Sequence, residues 1–326
     1  TQMNGSAQYR RSNSRTCLVA GRYTHGRNAL VLRHCCRRWI PAVAAALCAV
    51  AAMAPTAGAQ RDDARIYVTV LDGKGQPATG LTARDFTVTE DGVQKAVLAA
   101  APATEPLSIT ILTDRFGLDN TYSVFDVRLA FSTIVQTVHE GSPGSEIGFM
   151  TFDGAAVLQV KPTSGTTALE NTFRRLFTNG NSPVLLEAVA DACRALEQAP
   201  TDRRIILAVL AGYKNDRSSL RSPTVVDAIH RARASVWALE GRSAFQPNPP
   251  SIDREVITDL ASKASGGLHE IIGVGTALES RGKRMAELIL AQYAVVYAAP
   301  SRTARELKVG VPLKNARVVA PTWPPR

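Results

Sequence analysis

Across residues 107–272 the hydrophobic pattern keeps switching between two periods, and that alternation constrains the fold more than any other feature. Residues 107–113 form a near-continuous apolar run, as a strand covered on both faces requires. Val124, Val127, Phe131, Ile134, Val135 and Val138 then recur at three- and four-residue steps, which predicts a helix with one apolar face. Pro143-Gly144 breaks the chain, and strands are expected over 147–152 and 156–160, either side of Asp153-Gly154. Helices follow over about 167–177 and 184–197, then the most hydrophobic strand, 205–211. Ser222-Pro223 reads as a cap and first-turn pair for a helix over 224–234. A strand over 236–239, a Pro-rich loop at 245–250, a helix over 254–265 ended by Gly266-Gly267 and a strand over 268–272 complete the series. Strands alternating with helices imply right-handed crossovers. The expected fold class is therefore α/β: a doubly wound, mainly parallel sheet flanked by helices. Ligands of such sheets bind beyond the C-terminal strand ends, near the switch point. The loops after Thr113, before Val184 and after Ala211 are the ones to watch.

The flanks follow a different rhythm. Ile66, Val68 and Val70 alternate with Tyr67, Thr69 and Leu71, and Asp72-Gly73-Lys74-Gly75 signals a turn. Strands at 86–89 and 93–98 meet at Asp91-Gly92, and the Ala- and Pro-rich stretch 99–106 reads as a linker. A helix over 278–291 precedes strands at 293–298 and 307–311, with one more over 314–319. Neither set of strands has a sheet of its own, so both ends of the chain should meet in one small antiparallel β-module. The expected division is a leader over 1–59, module strands over 60–104, the α/β domain over 105–276, and a helix with completing strands over 277–326.

The leader reading rests on composition. Arg33, Arg37 and Arg38 precede an apolar run from residue 39 to 54, and Ala57-Gly58-Ala59 supplies a small-residue cleavage site before Gln60. Export to the periplasm or the medium follows as an expectation, with cleavage near Ala59-Gln60. Residues 1–59 hold eight of the 38 Lys and Arg and none of the 28 Asp and Glu, so the remainder carries 30 against 28, a net +2. The basic character belongs to the leader, and nucleic acid is not an expected partner. Outside it the cysteine is Cys193, placed on an apolar helical pattern and read as a core residue.

Several separated blocks resemble the von Willebrand factor A-related (VWFA-related) family of exported bacterial proteins. They are Val68–Pro77 with Gly80-Leu81-Thr82-Ala83-Arg84-Asp85-Phe86 and Glu90-Asp91-Gly92, then Ser108-Ile109-Thr110-Ile111-Leu112-Thr113-Asp114. Ile147-Gly148-Phe149-Met150-Thr151-Phe152, the stretch from Leu260-Ala261 to Gly266-Gly267, and Gln292-Tyr293-Ala294-Val295-Val296-Tyr297 continue the series. Their order is more specific than any one of them. The resemblance implies an A-domain-like fold and, in intact members, a divalent cation held through Asp-x-Ser-x-Ser, a middle-loop threonine and a later aspartate. This chain departs from that pattern. Asp114 matches, but Phe116 and Leu118 replace the hydroxyls, Pro183 takes the threonine position with Ser182 one step away, and Ala211 stands in place of the aspartate. Hard cations need several fixed oxygen donors, and Arg115 adds repulsion. The expectation is a degenerate metal site with no cofactor. The alternative is a weak Mg²⁺ site built from Asp114, Asp119 and Ser182. Asp114 otherwise reads as a strand-end carboxylate that caps backbone groups or pairs with Arg115.

Enzyme signatures are missing from the sequence. His139 and His230 fall near helix ends, and His269 beside Glu270 reads as a surface pair. No Gly-x-Ser-x-Gly elbow or phosphate loop occurs, and Gly273-Val274-Gly275 comes too late for a dinucleotide fingerprint. Asp253, Glu255, Asp259 and Lys263 suggest a solvated helix face, and Tyr293 and Tyr297 suggest packing more than a binding stripe. The sequence therefore points to a non-enzymatic module that binds a protein partner through Asp114, Arg115, Phe116, Leu118, Ser182 and Tyr213. A hydrolase with an unrecognised site is the more remote alternative.

Overall fold

In the computed structural model, the described residues are 63–115, 123–177, 181–210, 216–241, 252–298, 300–301 and 303–325. The chain divides into compact units at residues 57 and 58, and none of the first unit is among the described residues. Among those residues, no helix is long and apolar enough to cross a membrane.

The strands are β1 (Asp63–Leu71), β2 (Thr87–Glu90), β3 (Val93–Lys95), β4 (Val97–Pro102), β5 (Ser108–Thr113), β6 (Glu146–Thr151), β7 (Val157–Thr163), β8 (Arg204–Leu210), β9 (Ala234–Gly241), β10 (His269–Ile272), β11 (Tyr293–Ala298), β12 (Leu307–Gly310) and β13 (Arg317–Val319). The helices are α1 (Val124–Gly141), α2 (Thr167–Arg174), α3 (Leu185–Glu197), α4 (Ser222–Ala232), α5 (Ile252–Glu255), α6 (Ser262–Ala264) and α7 (Leu278–Leu290). Between α5 and α6 the chain winds as a π-helix over Val256–Ala261.

The main sheet has the order β10-β9-β8-β5-β6-β7. Its neighbours are parallel except for β7, which returns antiparallel along β6. Period-two side chains explain why both faces are apolar. Ile109, Ile111, Ile205, Leu207 and Val209 meet α1 and α7 on one face. Leu112, Ile206, Ala208 and Leu210 meet α3, α4 and the π-helix on the other. Cys193 lies buried in that second layer, where burial pushes its thiol up to about 12.

The expected meeting of the chain ends is present. A four-stranded antiparallel sheet has the order β13-β1-β11-β4, and a three-stranded one the order β12-β2-β3. Both contribute to one apolar cluster that includes Val68, Val70, Phe86, Val88, Tyr293, Val295, Tyr297 and Leu307. The tyrosines are therefore core residues. Tyr297 donates to the buried Glu90 carboxylate at 2.8 Å, and burial and that charge raise its pKa.

Three expectations need correction. The strand foreseen over 93–98 is two strands: β3 pairs with β2, whereas β4 pairs with β11. The supposed linker supplies Ala99–Pro102 of β4. Small alanines carry no hydrophobic period, but a ladder bonds through backbone groups and needs none. Ser222 is not the N-cap of α4. Arg221 holds that position without a side-chain cap, and Asp253 serves instead, accepting from the Ser222 amide and hydroxyl at 3.1 and 2.6 Å.

Candidate functional site

The order of the main sheet reverses between β5 and β8, because β5 leads outward to β6 and β8 leads the other way to β9. The crevice beyond their C-terminal ends is the switch point of the fold. Asp114 and Arg115 begin the loop that leaves β5 there. The Asp114 side chain is buried, and its carbonyl accepts from the Thr113 hydroxyl at 2.9 Å. Phe116, Leu118, Asp119 and Tyr213 lie outside the described residues.

Arg115 is fixed by Asp153, in the turn after β6. The Arg115 amide and Nε donate to the two Asp153 oxygens at 2.6 and 2.5 Å. The Asp153 side chain is fully buried and that of Arg115 nearly so. The guanidinium carbon also sits 4.9 Å from the centre of the Phe177 ring, a cation–π contact. Sequence reasoning offered Asp114 as the partner of Arg115. The acid found for it comes from Asp153-Gly154, which had been read only as a turn.

Ser182 joins the same rim through its backbone. Asp153 and Pro183 form an isolated antiparallel bridge, flanked by Gly154 N–H to Ser182 O at 2.8 Å and Val184 N–H to Phe152 O at 2.9 Å. Gly154 has φ +75°, a region that favours glycine, so the turn can bring its amide to Ser182. Arg115 and Ser182 thus flank one clasp, although they are far apart in sequence.

A helix N-terminus at such a crevice is normally an anion site. Here α3 starts after Val184, whose side chain cannot cap. Residues beyond β8 fill the vacancy. Asp216 Oδ2 accepts from Leu185 N–H at 3.2 Å, Ser218 Oγ accepts from Leu186 N–H at 3.0 Å, and Asp216 Oδ1 accepts from Ser218 N–H at 2.8 Å. In return Glu187 Oε1 accepts from Ser219 and Leu220 amides at 2.6 and 3.1 Å. Burial raises the Glu187 pKa, but the Ser218 hydroxyl and these amides outweigh it and hold the carboxyl below its usual range. The chain has closed its own anion site.

Phe116, Leu118, Pro183 and Ala211 offer no side-chain oxygen, and the Asp153 and Asp216 carboxylates are engaged by Arg115 and by backbone amides. Among the described residues, no group of three or more His, Cys, Asp and Glu is arranged to hold a metal.

The His269 expectation also needs correction. Its side chain is almost wholly buried. Nε2 lies 2.9 Å from Glu240 Oε2 and Nδ1 3.6 Å from Asp259 Oδ1. Arg254 and Lys263 face those two acids at 3.7 and 2.8 Å. Glu270 instead lies 3.9 Å from Arg281. Glu240 ends on β9, the neighbour of β10 in the sheet, so adjacency in space overrides adjacency in sequence.

Two further rim residues had no signal as site residues: Phe125 is 69 % exposed and Phe177 62 %. Phe177 falls at the end of the helix expected over 167–177, and Phe125 lies off the apolar period that starts at Val124.

No protein family description matches the chain, and no curated protein matches it. Solved structures do. A von Willebrand factor type A protein from Catenulispora acidiphila is 11 % identical and covers 81 % of this chain and 74 % of its own, with a TM-score of 0.48. BatB from Bacteroides thetaiotaomicron is 13 % identical and covers 56 % of this chain and 98 % of its own at 0.41. The pilus adhesin SpaC from Lactobacillus rhamnosus GG, in an open conformation, is 11 % identical and covers 74 % and 47 % at 0.45. The fold assignment rests on the sheet order itself: a doubly wound α/β unit with a separate antiparallel module, to which these structures are similar.

Proposed function

We propose that this chain is an exported, non-enzymatic protein-interaction module that binds its partner at the C-terminal edge of the main sheet without a metal ion. One observation carries the reading. Where intact relatives would present a cation, Arg115 is bonded to Asp153 and stacked on the exposed ring of Phe177. A rim with its charges paired internally and aromatic surface outward favours a desolvated protein contact. Asp114, Arg115 and Ser182 serve to shape that rim, with Phe116, Leu118 and Tyr213 as the apolar side chains of its loops. The division into a leader over 1–59, an α/β domain over 105–276 and flanking module segments belongs to the same reading.

Calorimetry of the full chain with Mg²⁺ and Mn²⁺ is the test, and no binding heat is expected. Micromolar binding abolished by Asp114→Ala would establish a working remnant site of Asp114, Asp119 and Ser182 and sink the metal-free reading. Export is supported by the basic lead and the Ala57-Gly58-Ala59 site. Sequencing the N-terminus of exported protein should return Gln60, and an unprocessed chain would refute cleavage there.

A further inference from the structure

Beside the rim, α1 and the C-terminal end of α2 form a shoulder. Phe131, Phe149 and Phe173 interlock beneath it, with ring centroids 5.1–5.3 Å apart, so the two helices have one fixed relation. Above that core, the Arg128 guanidinium donates to the Leu176 carbonyl, tying the second turn of α1 to the residue before Phe177. Phe125 and Leu129, one turn apart on α1, flank Arg128 and are both exposed. Exposed Phe177 then continues to Arg115 through the ring contact. The outer surface of this shoulder therefore combines apolar and cationic side chains.

Its exposed cationic side chains gather at one end. Arg174 and Arg175 are exposed at the end of α2, beside Arg128. Asp126 and Glu170, the acids nearest these arginines along α1 and α2, are hydrogen-bonded within the chain, and Glu140 lies about three turns further along α1. Asp126 accepts from the Ser123 hydroxyl at 2.7 Å, Glu170 from the Ser132 hydroxyl at 2.8 Å, and Asp153 from Arg115. A partner must therefore bring apolar side chains and negative charge together.

We infer that the shoulder of α1 and α2 receives an acidic amphipathic segment of a protein partner. Its apolar residues seat on Phe125, Leu129 and Phe177, and its carboxylates meet Arg128, Arg174 and Arg175. Charge complementarity favours this occupant, since a basic segment would be repelled by the three arginines and a purely polar one would leave the aromatic surface wet. This inference rests on the interaction reading above and names the partner's chemistry. The metal titration at Asp114 tests that reading independently, so the two can fail separately.

The experiment uses the full chain and three labelled peptides, with Glu and Leu at helical spacing, with Lys replacing Glu, and with Ser replacing Leu. Fluorescence anisotropy should show the Glu/Leu peptide binding about tenfold or more tightly than either counterpart. The double variant Arg174→Glu/Arg175→Glu and the variant Phe125→Ser should each weaken it about tenfold, with unchanged thermal unfolding because these side chains are exposed. Its affinity should also fall as salt rises. No binding of the Glu/Leu peptide, equal binding of the Lys/Leu peptide, or unchanged affinity in both variants would overturn the assignment.

Discussion

The two edges of the main sheet both carry arginines, and they use them in opposite ways. At the N-terminal edge Arg203 is buried and saturated. Its Nε donates to Gln292 Oε1 at 3.1 Å, Nη1 to the Ala103 and Glu105 carbonyls at 3.3 and 3.2 Å, and Nη2 to the Ile289 and Leu290 carbonyls at 2.6 and 3.2 Å. It caps the end of α7 and holds the module connection at the same time. Arg204 donates to the Ala232 carbonyl at 2.9 Å and so caps α4 on the other face. Residues 321–325 pack at that edge too, beside a cavity of about 730 Å³ that Arg203 and Trp323 both line. Thr322 N–H bonds to the Ala264 carbonyl at 2.8 Å, and the ring of Trp323 packs on that of His230 at 5.2 Å. At the C-terminal edge, Arg115 is held by a single carboxylate and an exposed ring. The comparison separates an arginine that organises carbonyls, which is architecture, from one that leaves an aromatic surface outward, which is where the proposed function places the partner.

The largest effect expected from breaking the N-terminal arrangement comes from Arg203→Met. It strands several buried carbonyls, and urea unfolding should register a loss of about 4 kcal/mol. A loss below about 1 kcal/mol would show that water replaces the guanidinium easily and that this edge is less sealed than its bonds imply. The C-terminal edge should respond less to Asp153→Ala. Arg115 keeps some solvent access once its acceptor is gone, so about 2 kcal/mol is expected in the same assay. An equal loss at both edges would erase the distinction.

The smallest effect is a pH dependence. The carboxyl of Glu187 lies below its unfolded value, so its stabilisation is present at neutral pH and is lost as pH falls through the folded value. Asp253 and Asp259 are held low by Ser222 and Lys263 respectively and contribute with the same sign. Stability should therefore decline on the acid side, and Glu187→Gln should make that decline shallower. An unchanged slope would mean that the tie between α3 and residues 218–220 does not depend on the charge.

The hydrophobic periods made the helices and strands of 107–272 legible, and with them the sheet class. That Phe116, Leu118, Pro183 and Ala211 bring no side-chain oxygen is a matter of composition and needs no structure. The Arg115–Asp153 pair was not legible: it spans 38 residues and depends on β5 lying beside β6. The caps of α3 and α4 escaped for the same reason, since each is a carboxylate supplied from about 30 residues onward, Asp216 and Asp253.

By itself the sequence determined which segments bury apolar faces, because side-chain period and local geometry are coupled within a few residues. Tertiary structure alone decided the partners of Arg115, Asp216 and Asp253. An ion pair or a helix cap needs only proximity in space, and the sheet brings together residues that carry no mark of one another in the chain.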